Sequence, residues 1–358
     1  MPRLLFVSKY IDHILHFFLE QIAREMEVTI VVDQQNDWTR MLAGNGVHLV
    51  PLVPRSKFDR QFRSEIEALY GDGRWDLIQS FHGNDQIANL IQWNRRRIPL
   101  IAYRGRIGHL KFRENPAAYF SVRNPGLAAV AAVSIEVKRY LESFRFLRAR
   151  NVHVLPHGIN RSFVDEQIAN PYPLRDELGI PADALILVSM AVLRPVKRFD
   201  YIVHAAEALK EMPVHFVHIG DPRGWDKKSG HLPHVHFLGQ QADPFPILAA
   251  GDVFAMTSHN EAFGRANLEA MACGKPVVGS NTGGLLDLVD PGVSGELFET
   301  ASPDDFAARI EAYVRNRSLV DEHGRNALRR VDELFTTERM VSKYLALYAD
   351  VLAAARSD

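Results

Sequence analysis

Cysteine is almost absent from this sequence, since Cys273 is the only one among 358 residues. A disulfide within the chain is therefore excluded, and a reducing compartment is indicated. No run of about 18 apolar residues occurs, so no segment is predicted to span a membrane. The first residues, MPRLLFVSKY, enter a strand-like run without a small-residue cleavage site. This argues against a signal peptide, and we expect a cytoplasmic protein.

Several signatures of common enzymes are missing as well. The chain holds 15 histidines, yet none falls in an HExxH or comparable metal-binding pattern. No Asp-x-Asp pair follows a strand-like run, and neither a GxSxG nucleophile motif nor a GxxxxGK(S/T) phosphate loop occurs. No GxGxxG follows the first strand of either half, which argues against a nicotinamide-dependent dehydrogenase. His153, His215 and His236 lie within strand-like runs, and we interpret them as core or sheet-edge residues.

Net charge is small overall but unevenly distributed. Residues 1–165 hold 23 Lys and Arg against 16 Asp and Glu, a net charge of +7, whereas the remainder holds 19 against 27, a net charge of −8. Ordinary solvated surface would explain any one cluster. Alternatively, the basic first half faces an anionic partner, such as a membrane surface or an acidic acceptor.

Short apolar runs alternate with helix-like stretches along the chain. The predicted strands of the first half are LLFVS (4–8), VTIVVD (28–33), VHLVPL (47–52), DLIQSF (76–81), PLIAY (99–103) and AAVAAVS (128–134). After a break at VHVLPHGINRSF (152–163), the predicted strands are ALILVSM (184–190), VHFVHIG (214–220), VHFLG (235–239), VFAMTS (253–258) and PVVGS (276–280). This alternation predicts parallel βαβ units whose sheets are covered on both faces.

The chain is too long for a typical single core, and the break predicts two domains. We place the boundary near residues 160–175 and assign residues 1–165 and 166–337 to two doubly wound, Rossmann-like domains. The amphipathic stretch 338–358 predicts a final helix. The predicted fold class is α/β, with the two units facing a cleft. Ligands of such sheets bind beyond the carboxyl ends of the strands.

A loop with two cations follows the predicted strand at 184–190. Arg194 and Lys197 flank Pro195 just before a helix-like stretch. Cations there can bind an anion that the helix N-terminal amides also hold. Arg can grip phosphate oxygens bidentately, whereas Lys acts as a point charge. The alternative is that both are ordinary surface cations.

Residues 253–284 predict a strand, a loop and a short helix ahead of the next strand. Gly264 lacks a Cβ and allows close approach of a ligand to the loop. Glu269 falls among small residues with Ala262, where a carboxylate is costly unless a partner pairs with it. Two ribose hydroxyls would serve, because a carboxylate accepts two hydrogen bonds. Glu261, in the loop, would lie nearer a reacting group. The alternative is that both glutamates are solvated.

The run EAFGRANLEAMACGKPVVGSNTGG (261–284) resembles the E-x7-E region of retaining glycosyltransferases of family 4, which have the GT-B fold. The segments LRPVKRFDYIVHA (193–205), VLPHGIN (154–160) and HFLGQ (236–240) are similar to that family as well. The similarity covers nearly all of residues 128–350. The glutamate spacing, the run EAMACGKPVV and the following Gly-Gly pair make the match specific.

The resemblance implies a role for individual residues. Glu261 would contact the transferred sugar and Glu269 the nucleotide ribose. Lys197 and Arg194 would neutralise the diphosphate. Further donor-binding residues would be Ala262, Phe263, Gly264 and Arg265. The final helix would return to the first domain, which would be the acceptor side.

Some positions depart from the family pattern. The family has G-R-L-x-x-x-K, with arginine five residues before the lysine, but Val192 holds that position here and Arg194 lies three before Lys197. The loop after the first strand, SKYIDH (8–13), has none of the family's glycines. In place of a histidine that the family carries in this domain, we consider Arg104 and His82 as residues near the acceptor or donor.

A basic amphipathic stretch, KRYLESFRFLRARN (138–151), has two interpretations. It is either a helix on an anionic inner membrane leaflet or a helix packed on the sheet with a solvated basic face. We favour the packed helix, because its apolar residues are needed to cover the sheet. Peripheral contact with an anionic membrane stays open as a hypothesis.

The resemblance predicts a retaining glycosyltransferase. It would move a hexose-type sugar from a nucleotide-diphosphate sugar to a saccharide or lipid-linked acceptor, in cell-surface polysaccharide or glycoconjugate synthesis. No cofactor, metal ion or nucleic-acid partner is expected. Two alternatives remain, namely a GT-B nucleotide-sugar epimerase and a catalytically silent sugar- or nucleotide-binding protein.

Overall fold

The structure is a computed structural model. It describes residues 1–32, 36–44, 46–52, 60–71, 74–81, 98–111, 113–115, 119, 122–123, 126–148 and 151–357.

Two compact units make up the chain. The first comprises Met1–Gly158 and Thr337–Asp358, and the second Ile159–Thr336. In the structure the second unit begins after Gly158, slightly ahead of the region near residues 160–175 where the sequence placed the boundary. Ile159 forms a β-bridge with Thr336, and the side chain of Asn160 accepts a hydrogen bond from the backbone of Phe163 and caps the next helix. These contacts tie the residues after Gly158 to the second unit.

The strands are β1 Arg3–Ser8, β2 Glu27–Val32, β3 His48–Pro51, β4 Leu77–Ser80, β5 Leu100–Arg104, β6 Leu127–Ala132, β7 Asn151–Val154, β8 Leu185–Met190, β9 Val214–Ile219, β10 Val235–Gly239, β11 Val253–Met256, β12 Val277–Ser280 and β13 Gly295–Phe298. The helices are α1 His13–Ile22, α2 Asp37–Ala43, α3 Arg60–Gly71, α4 Ile135–Glu142, α5 Arg145–Arg148, α6 Arg161–Ile168, α7 Leu174–Leu178, α8 Asp200–Ala208, α9 Trp225–Lys228, α10 Phe245–Ala250, α11 Arg265–Ala272, α12 Leu285–Leu288, α13 Pro303–Arg315, α14 Ser318–Leu334 and α15 Thr337–Ser357.

The first unit is built on a parallel sheet with strand order β3-β2-β1-β4-β5-β6-β7. Its strands are apolar and mostly buried, as expected for a sheet covered on both faces. Side-chain caps fix where helices begin, since Asp12 accepts from Leu15 N at 3.0 Å ahead of α1 and Ser134 accepts from Val137 N at 3.2 Å ahead of α4.

The last helix, α15, belongs to this first unit, which confirms the predicted return of the chain. Its buried face packs against α1, where the rings of Phe18 and Tyr344 lie 4.9 Å apart. Leu347 and Tyr348 join the same apolar core. Burial of these large side chains is what holds a helix so distant in sequence against the first unit.

The basic stretch 138–151 is not one helix, contrary to our expectation. It comprises the end of α4, the short helix α5 and the first residue of β7. Two of its cations pair locally, Lys138 with Glu142 at 3.6 Å and Arg139 with Glu136 at 3.3 Å. Its apolar residues Leu141 and Leu147 are buried. The described residues contain no helix long and apolar enough to cross a membrane.

The second unit has a parallel sheet with strand order β10-β9-β8-β11-β12-β13. Strands β9 and β10 lie on one side of β8, and the later strands β11, β12 and β13 lie on its other side. β8 and β11 are therefore neighbours whose following loops diverge, which is the topological switch point at which open α/β sheets bind ligands. The loop that carries Arg194 and Lys197 follows β8, and the loop that carries Glu261 follows β11.

Candidate functional site

An ion pair joins the loops that follow β8 and β11. Lys197 Nζ donates to Glu261 Oε2 at 2.8 Å, although the two residues are 64 apart in sequence. Their side chains are 26% and 20% exposed, so the pair is half-buried and yet accessible. The structure thus brings together two residues that the sequence assigned to the same site from separate motifs.

Backbone contacts hold the two loops in register around this pair. Lys197 ends a 3₁₀ turn, Pro195–Lys197, whose first residue has the fixed φ that suits a turn start. The Thr257 hydroxyl donates to the Lys197 carbonyl at 2.8 Å, and the His259 N–H donates to the Val196 carbonyl at 3.0 Å. The lysine is therefore held at its backbone by the loop that carries its carboxylate partner.

Arg198 fixes the same turn from its other end. It adopts a left-handed backbone conformation with φ of 47°, which is costly for a residue with a side chain. Its guanidinium donates to Asp200 at 2.8 and 3.0 Å, lies 4.3 Å from the Tyr201 ring and contacts His259 Nε2 at 2.5 Å. These contacts offset the backbone strain, and they link the lysine turn to the glutamate loop. The sequence analysis did not identify this residue, although it directly follows Lys197.

Arg194 is placed differently from Lys197. Its side chain is exposed, and no ion pair is found for it among the described residues. Its backbone carbonyl accepts a hydrogen bond from Lys197 N at 2.8 Å, so it begins the turn that presents the lysine. The predicted role of Arg194 at the diphosphate stays a prediction.

Helix α11 begins directly after the loop of Glu261. Gly264 precedes it with φ of 81°, a conformation that favours glycine. Glu269 lies on this helix and is only 7% exposed. Ala262 and Phe263, in the loop before the helix, are buried as well, and Phe263 packs on Phe335 with ring centroids 6.0 Å apart. The predicted role of Glu269 at the nucleotide ribose stays a prediction.

The other donor-side candidate, Arg265, is half-buried at the start of α11. On the opposite side of the loop, the N–H of Gly284 donates to the Glu261 carbonyl at 2.8 Å. A Cβ at Gly284 would lie 2.3 Å from the Ala262 carbonyl oxygen. This close approach explains why glycine follows β12 here, and it fixes the backbone from which the Glu261 side chain projects.

A narrow recess opens beside Lys197, between the carboxyl ends of β8, β9 and β11. Ser189 and His218 contribute polar groups to it, with the Ser189 hydroxyl 2.9 Å from His218 Nδ1. His218 Nε2 donates to the Ala191 carbonyl at 3.0 Å, which leaves Nδ1 to accept from the hydroxyl. Burial lowers the pKa of His218 to about 4, so the ring is neutral at pH 7.

His218 was missed by the sequence reasoning, which weighed other histidines as core residues. The alternation V-H-F-V-H in β9 does place its second histidine at the carboxyl end of a strand. Such a position is the signal that could have identified it. His215 and His236 pair across β9 and β10 at 3.0 Å, and burial lowers the pKa of both.

Two further candidates, His82 and Arg104, belong to the first unit. His82 lies outside the described residues. Arg104 ends β5 and donates to the carbonyls of Arg106, at 3.1 Å, and Gly108, so these hydrogen bonds fold its own loop. Among the described residues, no three His, Cys, Asp or Glu side chains are placed to hold a metal ion.

Most of the second unit is similar in sequence to a known protein family. Residues 173–330 match the model of the family described as glycosyl transferases group 1. These residues, a little under half of the chain, are therefore similar to that family. The match includes the turn of Lys197, the loop of Glu261 and helix α11. It confirms the family resemblance inferred from the sequence.

Curated relatives of this chain are similar over part of their length. The N-acetyl-alpha-D-glucosaminyl L-malate synthase of Bacillus anthracis is 31% identical over 201 residues, which are 53% of this chain and 53% of the relative. The D-inositol 3-phosphate glycosyltransferase of Geodermatophilus obscurus is 34% identical over 211 residues, covering 51% of this chain and 44% of the relative. The chain thus spans about half the length of these curated relatives.

Solved structures confirm the fold over the whole chain. HepE of Anabaena, solved in complex with UDP and glucose, has a TM-score of 0.79 at 19% identity, covering 98% of this chain and 100% of HepE. Sucrose-phosphate synthase of Thermosynechococcus elongatus has a TM-score of 0.78 at 18% identity, covering 99% and 100% of the two chains. At such identities the likeness concerns the fold, and the predicted GT-B architecture is confirmed.

Proposed function

We propose that this chain is a retaining glycosyltransferase that moves a hexose-type sugar from a nucleotide-diphosphate sugar to a saccharide or lipid-linked acceptor. The observation that carries the proposal is the ion pair of Lys197 and Glu261 at the switch point between β8 and β11. A cation for phosphate and a carboxylate for sugar hydroxyls then stand side by side, where the two halves of a nucleotide sugar would meet.

Lys197 would stabilise the leaving diphosphate. Negative charge grows on the outer phosphate as the sugar departs, and a fixed cation at that point lowers the energy of the transition state. The backbone N–H groups at the start of α11, next to Gly264, would add partial positive charge. Arg194, exposed one turn earlier, would screen the diphosphate from outside.

The two glutamates would hold the two parts of the donor. Glu261, once released by Lys197, would accept hydrogen bonds from the hydroxyls of the transferred sugar, and its negative charge favours positive charge on the anomeric carbon. Glu269 would accept from the two ribose hydroxyls. Because Glu269 is nearly buried, those hydrogen bonds would be made in a low dielectric, where they are strong.

The reaction needs no base from the protein. The bond between the anomeric carbon and the diphosphate oxygen breaks, and the acceptor oxygen bonds to that carbon on the same face. The acceptor hydroxyl gives its proton to the departing phosphate oxygen. Charge and protons balance, and no metal ion enters the scheme. Water would compete with the acceptor, so the site must exclude it.

UDP is the first nucleotide to test, because HepE was solved with it. The proposed acceptor class rests on one solved neighbour and on the charge of the first half of the chain. One solved neighbour, WaaG, is a glycosyltransferase involved in lipopolysaccharide biosynthesis, with a TM-score of 0.70 at 16% identity, covering 96% of this chain and 99% of that one. The net charge of +7 on residues 1–165 suits an anionic or lipid-linked saccharide. We place the reaction in cell-surface polysaccharide or glycoconjugate synthesis.

A thermal-shift panel of UDP, GDP, ADP and CMP, each with and without EDTA, tests the proposal. A nucleotide at about 100 times its dissociation constant stabilises the unit that binds it by about 2.7 kcal/mol. For a protein of this size that is a shift of several degrees. We expect one nucleoside diphosphate to stabilise the protein equally in both conditions.

The matched variant is Glu269→Ala, which should lose most of the shift. Lys197→Met should weaken binding of the nucleoside diphosphate more than binding of the corresponding nucleoside. No shift with any nucleotide would overturn the proposal. Once a nucleotide that binds is found, the protein is incubated with the corresponding nucleotide sugar and no acceptor. An epimerase would change the sugar under these conditions, whereas a transferase would not. Binding without any turnover would favour a catalytically silent binder.

A further inference from the structure

Asn267 carries a buried amide without a hydrogen-bond partner. It is the third residue of α11 and is 0% exposed. Its backbone N–H donates to the Gly264 carbonyl at 2.9 Å, but neither Nδ2 nor Oδ1 of the side chain is bonded. Buried amides almost always find partners, and leaving one unpaired is costly. The position therefore requires a reason beyond stability of the ligand-free fold.

The Asn267 amide and the Glu261 side chain both lie close to the α-carbon of Gly264, which carries no side chain. A Cβ built on Gly264 would lie 2.2 Å from Asn267 Nδ2 and 3.2 Å from Glu261 Cγ. The two side chains thus flank the same point, and the missing side chain of Gly264 leaves no atom between them there. Any residue other than glycine would fill this gap.

Glu261 will need a second partner if Lys197 leaves it. In this structure the carboxylate is held by Lys197 at 2.8 Å and is 20% exposed. A nucleotide diphosphate would recruit the lysine, because a diphosphate carries more negative charge than one carboxylate. A half-buried carboxylate that loses its cation is destabilised unless a hydrogen-bond donor replaces the cation.

We propose that Asn267 is that replacement, and that it acts as a positioning residue for Glu261. When Lys197 turns to the donor phosphates, the Nδ2 amide donates to the freed carboxylate and holds it toward the sugar. The inference rests on the proposed function for the identity of the ligand, but the exchange of partners itself requires only that Lys197 be removed. The amide is thus unpaired in the ligand-free protein and hydrogen-bonded to Glu261 in the loaded protein.

The exchange can be observed without any ligand. The side-chain ¹⁵NH₂ signals of Asn267 are assigned by their loss in Asn267→Leu. In Lys197→Met, which frees the carboxylate permanently, we expect these amide protons to move downfield in the nucleotide-free protein, as they do on hydrogen bonding to a carboxylate. Addition of UDP to the wild type should produce a shift in the same direction. Amide signals that stay in place in Lys197→Met would overturn the inference.

Kinetics supply a second readout. Asn267→Leu should lower kcat about tenfold with little change in the donor KM, since a hydrogen bond to a charged group is lost in the loaded state. The same substitution in a Glu261→Ala background should have no further effect on kcat. An equal loss in both backgrounds would mean a structural contribution that does not act through Glu261, and would overturn the inference.

The thermal stability of Asn267→Leu shows whether the Asn267 amide is unpaired in the ligand-free protein. Because Asn267→Leu removes an unpaired polar group, we expect an unfolding temperature at or above that of the wild type. Tyr348→Phe is the matched control, since it removes another buried and unbonded polar atom, the Tyr348 hydroxyl, in the first unit. It should leave kcat unchanged. A clear fall in the unfolding temperature of Asn267→Leu would show that the amide is already bonded and would overturn the inference.

The outcomes also separate this inference from the proposed function. If no nucleotide binds the wild type, the proposed function fails, while the Lys197→Met spectrum still decides on the exchange of partners. If a nucleotide binds and sugar is transferred but the Asn267 amide never moves, only the inference fails. Asn267→Ala repeats the assignment and the kinetics with a smaller side chain.

Discussion

Gly283 lies directly against the backbone of Glu261. A Cβ added at Gly283 would stand 2.0 Å from the Glu261 carbonyl oxygen, and the next residue, Gly284, donates its N–H to that same oxygen at 2.8 Å. Gly283 also has a positive φ of 63°. The loop after β12 therefore supports the loop after β11 through two glycines, and it sets where the Glu261 carboxylate can reach.

Substitution of Gly283 should damage both stability and the site. In Gly283→Ala the methyl group would collide with backbone, which cannot rotate away as a side chain can, and the positive φ adds strain. We expect a loss of about 2–4 kcal/mol in the free energy of unfolding. If the protein stays folded, nucleotide-dependent turnover should fall further than nucleotide binding. Chemical denaturation and steady-state kinetics measure the two effects.

Gly292→Ala is the matched control for the backbone strain. Gly292 has a φ of 73°, but nothing lies within 4 Å of a Cβ built on it. Its substitution should cost only the conformational part, about 1 kcal/mol, and leave turnover unchanged. Equal destabilisation by the two alanines would mean that the contact with Glu261 contributes nothing.

The two cations of the site should differ in their effect on catalysis. Lys197→Met should lower kcat/KM by about 100-fold to 1,000-fold, because a positioned cation beside the reacting groups is lost. Arg194→Met should lower it about tenfold or less, since an exposed guanidinium acts through solvent of high dielectric. Steady-state kinetics with the donor found by thermal shift measure both. A larger loss for Arg194→Met than for Lys197→Met would reverse the assignment of roles.

Sequence patterns predicted most of the fold because the buried strands of both parallel sheets are runs of apolar residues. The run 4–8 became β1 and the run 184–190 became β8 with shifts of one residue. β13 was missed because its four residues, GELF, begin with a glycine. That glycine packs against the Val277 carbonyl, 2.2 Å from a Cβ built on it, a contact that only the folded sheet defines. β7 was taken for a break because Pro and Gly follow it closely.

Residues of the candidate site could be predicted from the sequence only where they belong to a recognisable motif. Lys197 and Glu261 each stood in a recognisable loop, but their contact depends on β8 and β11 being neighbours. The partnerless amide of Asn267 could not be read from sequence, because burial and lack of partners are properties of the packed helix. The pattern did place Asn267 four residues before the buried Met271, so a polar residue on the core face was visible.

Acid should destabilise the second unit through His218. Burial lowers the pKa of its imidazole from 6.5 to about 4, so below pH 6.5 the unfolded chain binds a proton that the folded chain does not. Stability is therefore greatest above pH 6.5 and falls as pH drops toward 4. The contribution over this range is about 3 kcal/mol, since each pKa difference of one costs about 1.4 kcal/mol. Urea denaturation at several pH values measures it.

His218→Gln isolates this contribution from that of the other acidic and basic groups. The variant should be less stable than the wild type at pH 7.5, because it loses the aligned hydrogen bonds to Ser189 and Ala191. Its stability should fall less steeply than that of the wild type between pH 6.5 and 4. Parallel curves over that range would contradict the proposed neutral state of the buried ring.

Cys273 should report the opening of the second unit. Its thiol is 8% exposed at the end of α11, and burial raises its pKa to about 12. Only the thiolate reacts with iodoacetamide, so at pH 8 the folded protein should label slowly, whereas the urea-unfolded chain should label within minutes. Because the chain has one cysteine, mass spectrometry gives the labelled fraction without ambiguity, and Cys273→Ser provides the blank.

A nucleotide that binds beside α11 should slow labelling of Cys273 further, because it stabilises the folded state in proportion to its effect on unfolding. Rapid labelling of the native protein would mean that this helix end opens without unfolding of the unit.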